Sequence, residues 1–365
     1  MILSAVTVIK THSGEPMEYW YQIISGQKQG AAAVCCRFFL YVLSWFYTGI
    51  VAIRNLFFDY RLRKIRRLPI PVISVGNLTL GGTGKTPFAA YLVRYFLEHG
   101  HRPGIISRGY AKGSSGTNDE YLELAFRFPD TPHIQNKNRC AAAEEFLLRK
   151  NADILILDDA FQHRHLDRTL NIVLLDATVP LGSNYLFPRG TLREPVSGLQ
   201  RADIVLLSRA DLIGGTERER IRKYVEQIAP NTLWGEIAYI PAMLVSVTKT
   251  VGTLESLHNQ KVLAFCGIGN PAAFRSVLER CGVTVAAFIV FSDHRRYSSA
   301  DLDRLENAAK ACHPDAVLCT MKDIVKINKP MLADIPIQAV AVETQWLKGQ
   351  DEVTAALDKM MEYLC

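Results

Sequence analysis

Residues Thr79-Leu80-Gly81-Gly82-Thr83-Gly84-Lys85-Thr86 limit what this chain can be more than any other stretch. They follow a short β-branched apolar run, Val72-Ile73-Ser74-Val75, and lead into Phe88-Ala89-Ala90-Tyr91-Leu92-Val93, which reads as a helix. Strand, glycine-rich turn, Gly-Lys-Thr and helix make the layout of a P-loop. Glycines let backbone N–H groups curl around an anion without Cβ clashes. The helix N-terminus adds partial positive charge at the same point. Lys85 supplies a point charge for the β- and γ-phosphates, and Thr86 a hydroxyl for Mg²⁺. The strict pattern begins with glycine at the position held here by Thr79. The expectation is a nucleoside-triphosphate site built from residues 79–86.

A chain of 365 residues is long for one domain and comfortable for two. With 48% hydrophobic and 21% charged residues it is globular, not disordered. A formal net charge of +6 is too modest for a nucleic-acid binder, so no nucleic-acid partner is expected. The cysteines form no C-x-x-C pair and show no metal-ligand spacing, which reads as reduced thiols.

Ala31 to Ile53 is the most apolar stretch, with Arg37 its only charge. Its length approaches the roughly 20 residues that span a bilayer. Arg54, Arg61, Arg63, Lys64, Arg66 and Arg67 follow, with Asp59 the only acid among them. Such a basic collar favours an anionic, cytoplasmic leaflet. The tryptophan, tyrosines and phenylalanines suit the interface, where rings with polar tips sit. A membrane-associated helix is expected, either spanning or lying in the interface.

Beyond the P-loop helix (87–98), residues 104–107 read as a strand, 113–118 as a loop and 120–126 as a helix. A helix over 140–150 and apolar strands at 152–157, 171–175 and 203–207 follow. Continuous apolar strands alternating with helices predict an open, mostly parallel α/β sheet buried on both faces. Residues 236–260 read as extended linker strands. A second, smaller α/β unit is expected from strands at 262–266, 283–291 and 316–320 and helices at 272–281 and 299–312. The expected organisation is thus an N-terminal segment (1–67), a P-loop domain (68–235), the linker (236–260) and a C-terminal α/β domain (261–365).

Asp158 and Asp159 end an apolar strand, the Walker B position for Mg²⁺ in a P-loop protein. Ligands gather outside the carboxyl ends of such strands, so the acids and the P-loop should meet there. Asp119 and Glu120 sit after the second strand. Asp119 could accept a proton from an attacking hydroxyl, or simply cap a helix. Asp293-His294 is a generic acid–base pair. Arg139, Arg193 and Glu194 are polar residues near strand edges, with no role legible from composition.

In this order, Gly76-Asn77, Gly81-Gly82-Thr83-Gly84-Lys85-Thr86-Pro87, Ser107-Arg108-Gly109-Tyr110, Asp119-Glu120, Asp158-Asp159-Ala160-Phe161-Gln162-His163, Leu192-Arg193-Glu194-Pro195 and Asp293-His294 resemble the tetraacyldisaccharide 4'-kinase (lipid A 4'-kinase) family over about residues 39–327. The resemblance implies two α/β domains joined by extended strands and an N-terminal helix on the cytoplasmic face of a bacterial inner membrane. It implies transfer of the γ-phosphate of ATP, with Mg²⁺, to the 4'-hydroxyl of a tetraacyldisaccharide 1-phosphate, a glycolipid, giving lipid IVA. Thr79, Leu80, Gly81, Gly82, Thr83, Gly84, Lys85 and Thr86 match the phosphate loop. Asp119 matches the general base, and His294 its orienting partner. Asp158 and Asp159 match metal-side acids, Arg193 and Glu194 a second polar cluster near the nucleotide, and Arg139 a phosphate clamp. Asn118 and Ala160 stand where the family usually has glycine. The resemblance calls for a membrane surface as partner and for no obligate protein partner.

A membrane-attached regulatory ATPase of the MinD/ParA kind shares the Gly-Gly-x-Gly-Lys-Thr core, but carries a lysine where this chain has Leu80. A GTPase module would need Asn-Lys-x-Asp, where this chain has Ser208-Arg209-Ala210-Asp211. An inactive P-loop scaffold would not need every charged position retained here.

Overall fold

A computed structural model describes residues 7–10, 15–109 and 118–362. In chain order its elements begin with β1 (Thr7–Lys10), α1 (Glu15–Ile24), α2 (Ala31–Asp59), β2 (Val72–Asn77), α3 (Lys85–Glu98), β3 (Pro103–Ser107), α4 (Asp119–Arg127) and β4 (His133–Gln135). There follow α5 (Arg139–Arg149), β5 (Ile154–Asp158), β6 (Leu170–Asp176), β7 (Ile204–Ser208), α6 (Gly215–Ile228), β8 (Leu233–Ser246) and β9 (Val251–Gly252). The last are β10 (Lys261–Cys266), α7 (Pro271–Arg280), β11 (Thr284–Val290), α8 (Ser299–Cys312), β12 (Ala316–Thr320), α9 (Met321–Ile324), β13 (Met331–Leu332), β14 (Ile335–Lys348) and α10 (Gln350–Met361). Tyr110 and the expected loop at 113–117 lie outside the described residues.

The chain divides into two compact units. One, the P-loop unit, holds residues 18–238 and 344–362; the other holds 239–343 and the strand β1. This departs from the expected boundary: the last residues were expected with the C-terminal domain, yet they pack with the P-loop unit. Trp346 lies edge-on to Phe88 and Tyr91 of α3, and the Tyr95 hydroxyl donates to Asp358 of α10. The expected linker also disappears as a separate segment, because β8 begins in one unit and ends in the other.

Seven parallel strands build the P-loop unit in the order β8-β7-β6-β2-β5-β3-β4. The central strands β2 and β5 are buried at every position, as their unbroken apolar sequences predict for a sheet covered on both faces. Strands β5 and β6 flank β2, so the connection between them crosses the strand that feeds the P-loop. The crevice this leaves at the carboxyl ends is where open α/β sheets bind ligands. In the other unit the order is β1-β11-β10-β12-β14, again parallel, with β13 antiparallel to β14. Its core joins Phe274, Leu278, Phe288 and Leu318.

Helix α2 has 29 residues, about 44 Å of helix, and is long and apolar enough to cross a membrane. Its buried positions, Ala33, Ser44, Val51 and Phe58, define one face. That face is tied to the P-loop unit by Arg164, which bonds Asp59 and the Asn55 carbonyl, and by Tyr41 and Tyr47 against Tyr185 and Phe187. The opposite face exposes Phe39, Leu43, Phe46, Ile50, Ile53 and Phe57 at helical spacing.

One glycine is fixed by close approach. A Cβ on Gly76 would lie 2.5 Å from the Phe161 Cβ and 2.7 Å from its backbone nitrogen. Neither atom can swing aside, and Phe161 is itself fully buried. Gly76→Ala is expected to cost about 1–3 kcal/mol through overpacking, read as a lowered urea midpoint.

Candidate nucleotide and phosphoryl-transfer site

The P-loop leaves β2 at Asn77 and reverses through Gly81 (φ 118°) and Gly84 (φ 83°). Both angles lie in the region that only glycine enters freely. Gly84 is the N-cap of α3 and makes no side-chain cap hydrogen bond; a helix N-terminus of this kind favours an anion. Lys85 and Thr86 are the first two helical residues. Thr79, in place of the usual glycine, pairs antiparallel with Leu192. On either side of that bridge the Leu80 N–H donates to the Thr191 carbonyl at 2.7 Å and the Arg193 N–H to the Leu78 carbonyl at 2.7 Å. An extended position in a bridge needs no glycine, which accounts for the departure.

Strand β5 delivers Asp158 and Asp159 to the same edge. Asp158 is buried. Asp159 has a left-handed backbone (φ 48°), a conformation that Asp tolerates better than most residues. The freedom associated with a glycine at 160 is thus required one residue earlier, and Ala160 is accommodated fully buried. The Asp159 carboxylate receives Arg193 at 2.8 and 3.0 Å and lies 3.4 Å from Lys85 Nζ. Burial alone would raise its pKa. Lys85, Arg193 and Arg139 outweigh that and hold it well below the usual carboxylate range. Asp159 is thereby a counter-ion to two cations, Lys85 and Arg193.

Arg139, expected as a phosphate clamp, is buried and donates through one guanidinium nitrogen to the carbonyls of Asp158 and Asp159, at 3.0 and 2.7 Å. It fixes the acid turn from beneath. Glu194 is fully buried; its carboxylate takes a hydrogen bond from Gln162 at 3.0 Å and an ion pair from Arg201. Gln162 also donates to the Asn77 carbonyl at 2.8 Å. The expected polar cluster at Arg193 and Glu194 therefore exists, but Glu194 braces the end of β2, and Arg193 alone turns toward Asp159.

Asp119 is the first residue of α4, not its cap: Asn118 caps the helix, accepting from the Tyr121 N–H at 2.8 Å. Asn118 is extended (φ −98°), so the position needs no glycine. Its side chain also receives Gln135 at 2.6 Å and donates to the Arg108 carbonyl at 3.3 Å. These bonds tie the start of α4 to the ends of β3 and β4. His294 belongs to the other unit. Its backbone is left-handed (φ 57°), its side chain is exposed, and Nε2 lies 3.9 Å from Asp293. Arg295, bonded to Asp301 at 2.9 and 3.1 Å, braces the same turn.

Three residues at the site had no assigned role in the sequence: Arg201, Arg209 and Ser208. Arg209 bonds Gly82 and Asp176, and Ser208 bonds the Thr83 carbonyl. Only a missing Asn-Lys-x-Asp pattern drew attention to this stretch in the sequence.

A glycine-rich loop ending in Gly-Lys-Thr at a helix N-terminus, beside paired acids at the carboxyl edge of a parallel sheet, defines a P-loop nucleotide-binding protein. The family described as LpxK, tetraacyldisaccharide-1-P 4'-kinase, matches residues 36–362, and the chain belongs to that family. Tetraacyldisaccharide 4'-kinase of Syntrophus aciditrophicus is 36% identical over 348 residues, covering 88% of this chain and 92% of the relative. That of Halothermothrix orenii is 34% identical over 368 residues, covering 91% and 95%. The crystal structure of LpxK from Aquifex aeolicus in complex with ATP superposes with a TM-score of 0.69 at 27% identity, covering 89% of this chain and 99% of that one.

Two half-buried imidazoles near this site set a pH dependence. Burial holds His133 down at about 3. Burial first, and then Arg139, His165, Arg168 and Arg108, holds His163 at about 4. An unfolded histidine titrates near about 6.5. Between those values the unfolded chain binds protons that the folded one refuses, so stability falls as pH drops from about 6.5 toward 4. His133→Asn is expected to flatten this slope, measured as urea midpoints at pH 7 and pH 5.

Proposed function

We propose that the chain transfers the γ-phosphoryl group of ATP to the 4'-hydroxyl of a tetraacyldisaccharide 1-phosphate at a membrane surface. The observation that carries this reading is a direct tie between an apolar helix and the phosphate loop. The Tyr47 hydroxyl of α2 donates to the Arg193 carbonyl at 2.9 Å. The Arg193 N–H holds Leu78, and its guanidinium holds Asp159. A kinase for a soluble acceptor has no need of an exposed apolar helix fastened to its nucleotide loop. A lipid kinase must hold that loop at headgroup depth.

In this reading the N–H groups of the loop and Lys85 bind the β- and γ-phosphates. Among the described residues no group of three or more His, Cys, Asp and Glu side chains is placed to hold a metal ion by itself. This suits Mg²⁺, which takes one or two protein oxygens and completes its shell with phosphate and water. The Thr86 hydroxyl and Asp158 would hold it, since Asp159 is committed to Lys85 and Arg193. Held there, Mg²⁺ would supply positive charge against the charge that develops on the phosphates. Asp119 takes the proton of the 4'-hydroxyl as its oxygen attacks the γ-phosphorus, and the bond to the ADP oxygen breaks. The gain comes from positioning and charge stabilisation.

The same tie favours helix α2 lying in the interface over crossing the bilayer. Its packed face contacts the P-loop unit from Arg37, bonded to the Ile23 carbonyl, to Asp59 near its end. A perpendicular helix would carry those partners into hydrocarbon. The basic collar after it fits the anionic cytoplasmic leaflet of a bacterial inner membrane.

The test is transfer of ³²P from γ-labelled ATP to tetraacyldisaccharide 1-phosphate in detergent micelles. Asp119→Ala is expected to lower kcat about 10²–10⁴-fold, the usual contribution of a general base, while ATP still binds. Absence of wild-type transfer, with lipid-stimulated ATP hydrolysis instead, would return the membrane-attached ATPase. Separately, the double change Phe46→Glu and Ile50→Glu is expected to abolish sedimentation with anionic vesicles and leave ATP affinity intact.

A further inference from the structure

We infer that Arg209 is a positioning residue for the phosphate loop, acting with Ser208 and Asn77 to aim its N–H groups. Three consecutive carbonyls of the loop are held by side chains. Asn77 Nδ2 donates to the Gly81 oxygen at 3.4 Å. Arg209 donates to the Gly82 oxygen at 2.9 Å. The Ser208 hydroxyl donates to the Thr83 oxygen at 2.8 Å. In a trans peptide the C=O of one residue and the N–H of the next point in opposite directions. Holding the oxygens of residues 81, 82 and 83 therefore fixes the directions of the N–H groups of Gly82, Thr83 and Gly84, each opposite to the oxygen before it, and successive N–H groups so fixed can cradle an anion. Glycines permit that arrangement but do not select it.

Arg209 is suited to this task in a way that its neighbours are not. Its other guanidinium nitrogen pairs with Asp176 at the end of β6. Asp176 is held in turn, accepting from the Thr178 N–H at 3.0 Å and its hydroxyl at 2.7 Å. A guanidinium fork can serve the carboxylate and the carbonyl together, which a lysine ammonium on a flexible stem does less well. Arg209 also has a left-handed backbone (φ 54°), a cost that a non-glycine residue bears only where its surroundings require it. The guanidinium adds positive charge behind the loop without occupying the phosphate side. This inference deepens the nucleotide-site reading above and rests on it.

The backbone angle supplies a variant. Arg209→Gly removes the fork and suits the left-handed φ, while leaving the buried Asp176 carboxylate without its cation, so folding of each variant is checked first. ATP affinity would be measured by isothermal titration, and ATP and acceptor KM by ³²P transfer, at a temperature where circular dichroism shows each variant folded. Arg209→Gly is expected to weaken ATP binding at least tenfold and raise the ATP KM in step, with the acceptor KM within twofold of wild type. Arg209→Lys should recover part of the loss, and Ser208→Ala should show a smaller one. A folded Arg209→Gly protein that binds ATP within twofold of wild type overturns the inference. So does an acceptor KM that rises with the ATP KM, the mark of a general distortion. Should Arg209→Gly fail to fold, Arg209→Lys decides: a threefold to tenfold loss of ATP affinity supports the inference, and wild-type affinity overturns it. Because ATP binding is read without acceptor, a wild type that binds ATP but transfers nothing to the disaccharide sinks the lipid-kinase reading and leaves this test intact.

Discussion

The nucleotide site depends on one short pairing, that of Leu78–Leu80 with Thr191–Arg193. The P-loop has few side chains with which to hold itself, and its glycines lose more conformational freedom on ordering than other residues. The bridge at Thr79 and Leu192, with its two flanking hydrogen bonds at 2.7 Å, fixes the entry of the loop. The same three-residue segment then serves the acid turn, because Arg193 continues from its backbone bond to a bidentate contact with Asp159. One extended segment thus sets the distance between the glycine loop and the acids.

In the bend that follows the Leu192 bridge, two adjacent polar residues do unlike things. Arg193 goes to Asp159, and Glu194 goes the other way into the interior, where Arg201 and Gln162 receive it. Arg201 also lies over the Phe161 ring, 4.8 Å from its centroid. A carboxylate so buried is tolerable only with its charge and lone pairs matched, and removing one partner of such a pair is strongly destabilising. Loss of activity on changing Glu194 would therefore report a collapsed brace at the end of β2 rather than a lost ligand contact.

The parts of this architecture legible in the sequence are those encoded locally. The P-loop, the apolar strands ending at Asp158 and Ser208, and the helix bearing Lys85 all announce themselves within ten or so residues. The brace was not legible, because its partners meet across long separations: Arg209 reaches the loop across 127 positions and Ser208 across 125. Nothing in the composition near Arg139 distinguishes a guanidinium that meets a phosphate from one that supports two carbonyls. The unit boundary was missed for a related reason. The alternating sequence of β14 fits either unit, and contacts such as Trp346 on Phe88 and Tyr91 and Asp358 on Tyr95 assign residues 344–362 to the P-loop side. Strands β1 and β4 are too short to show a period at all.

The charge balance around Lys85 follows from the same geometry. Lys85 and Arg193 both lie within ion-pair reach of Asp159, and Lys85 also stands at the positive end of the α3 dipole. Without Asp159 the two cations and the dipole would repel one another in a partly buried crevice, where screening by solvent is weak. The carboxylate therefore stabilises the resting site by one negative charge. A triphosphate brings more negative charge than Asp159 and adds acceptors for the N–H groups of Gly82 to Gly84. It can draw Lys85 away while Arg193 keeps the acid turn in place.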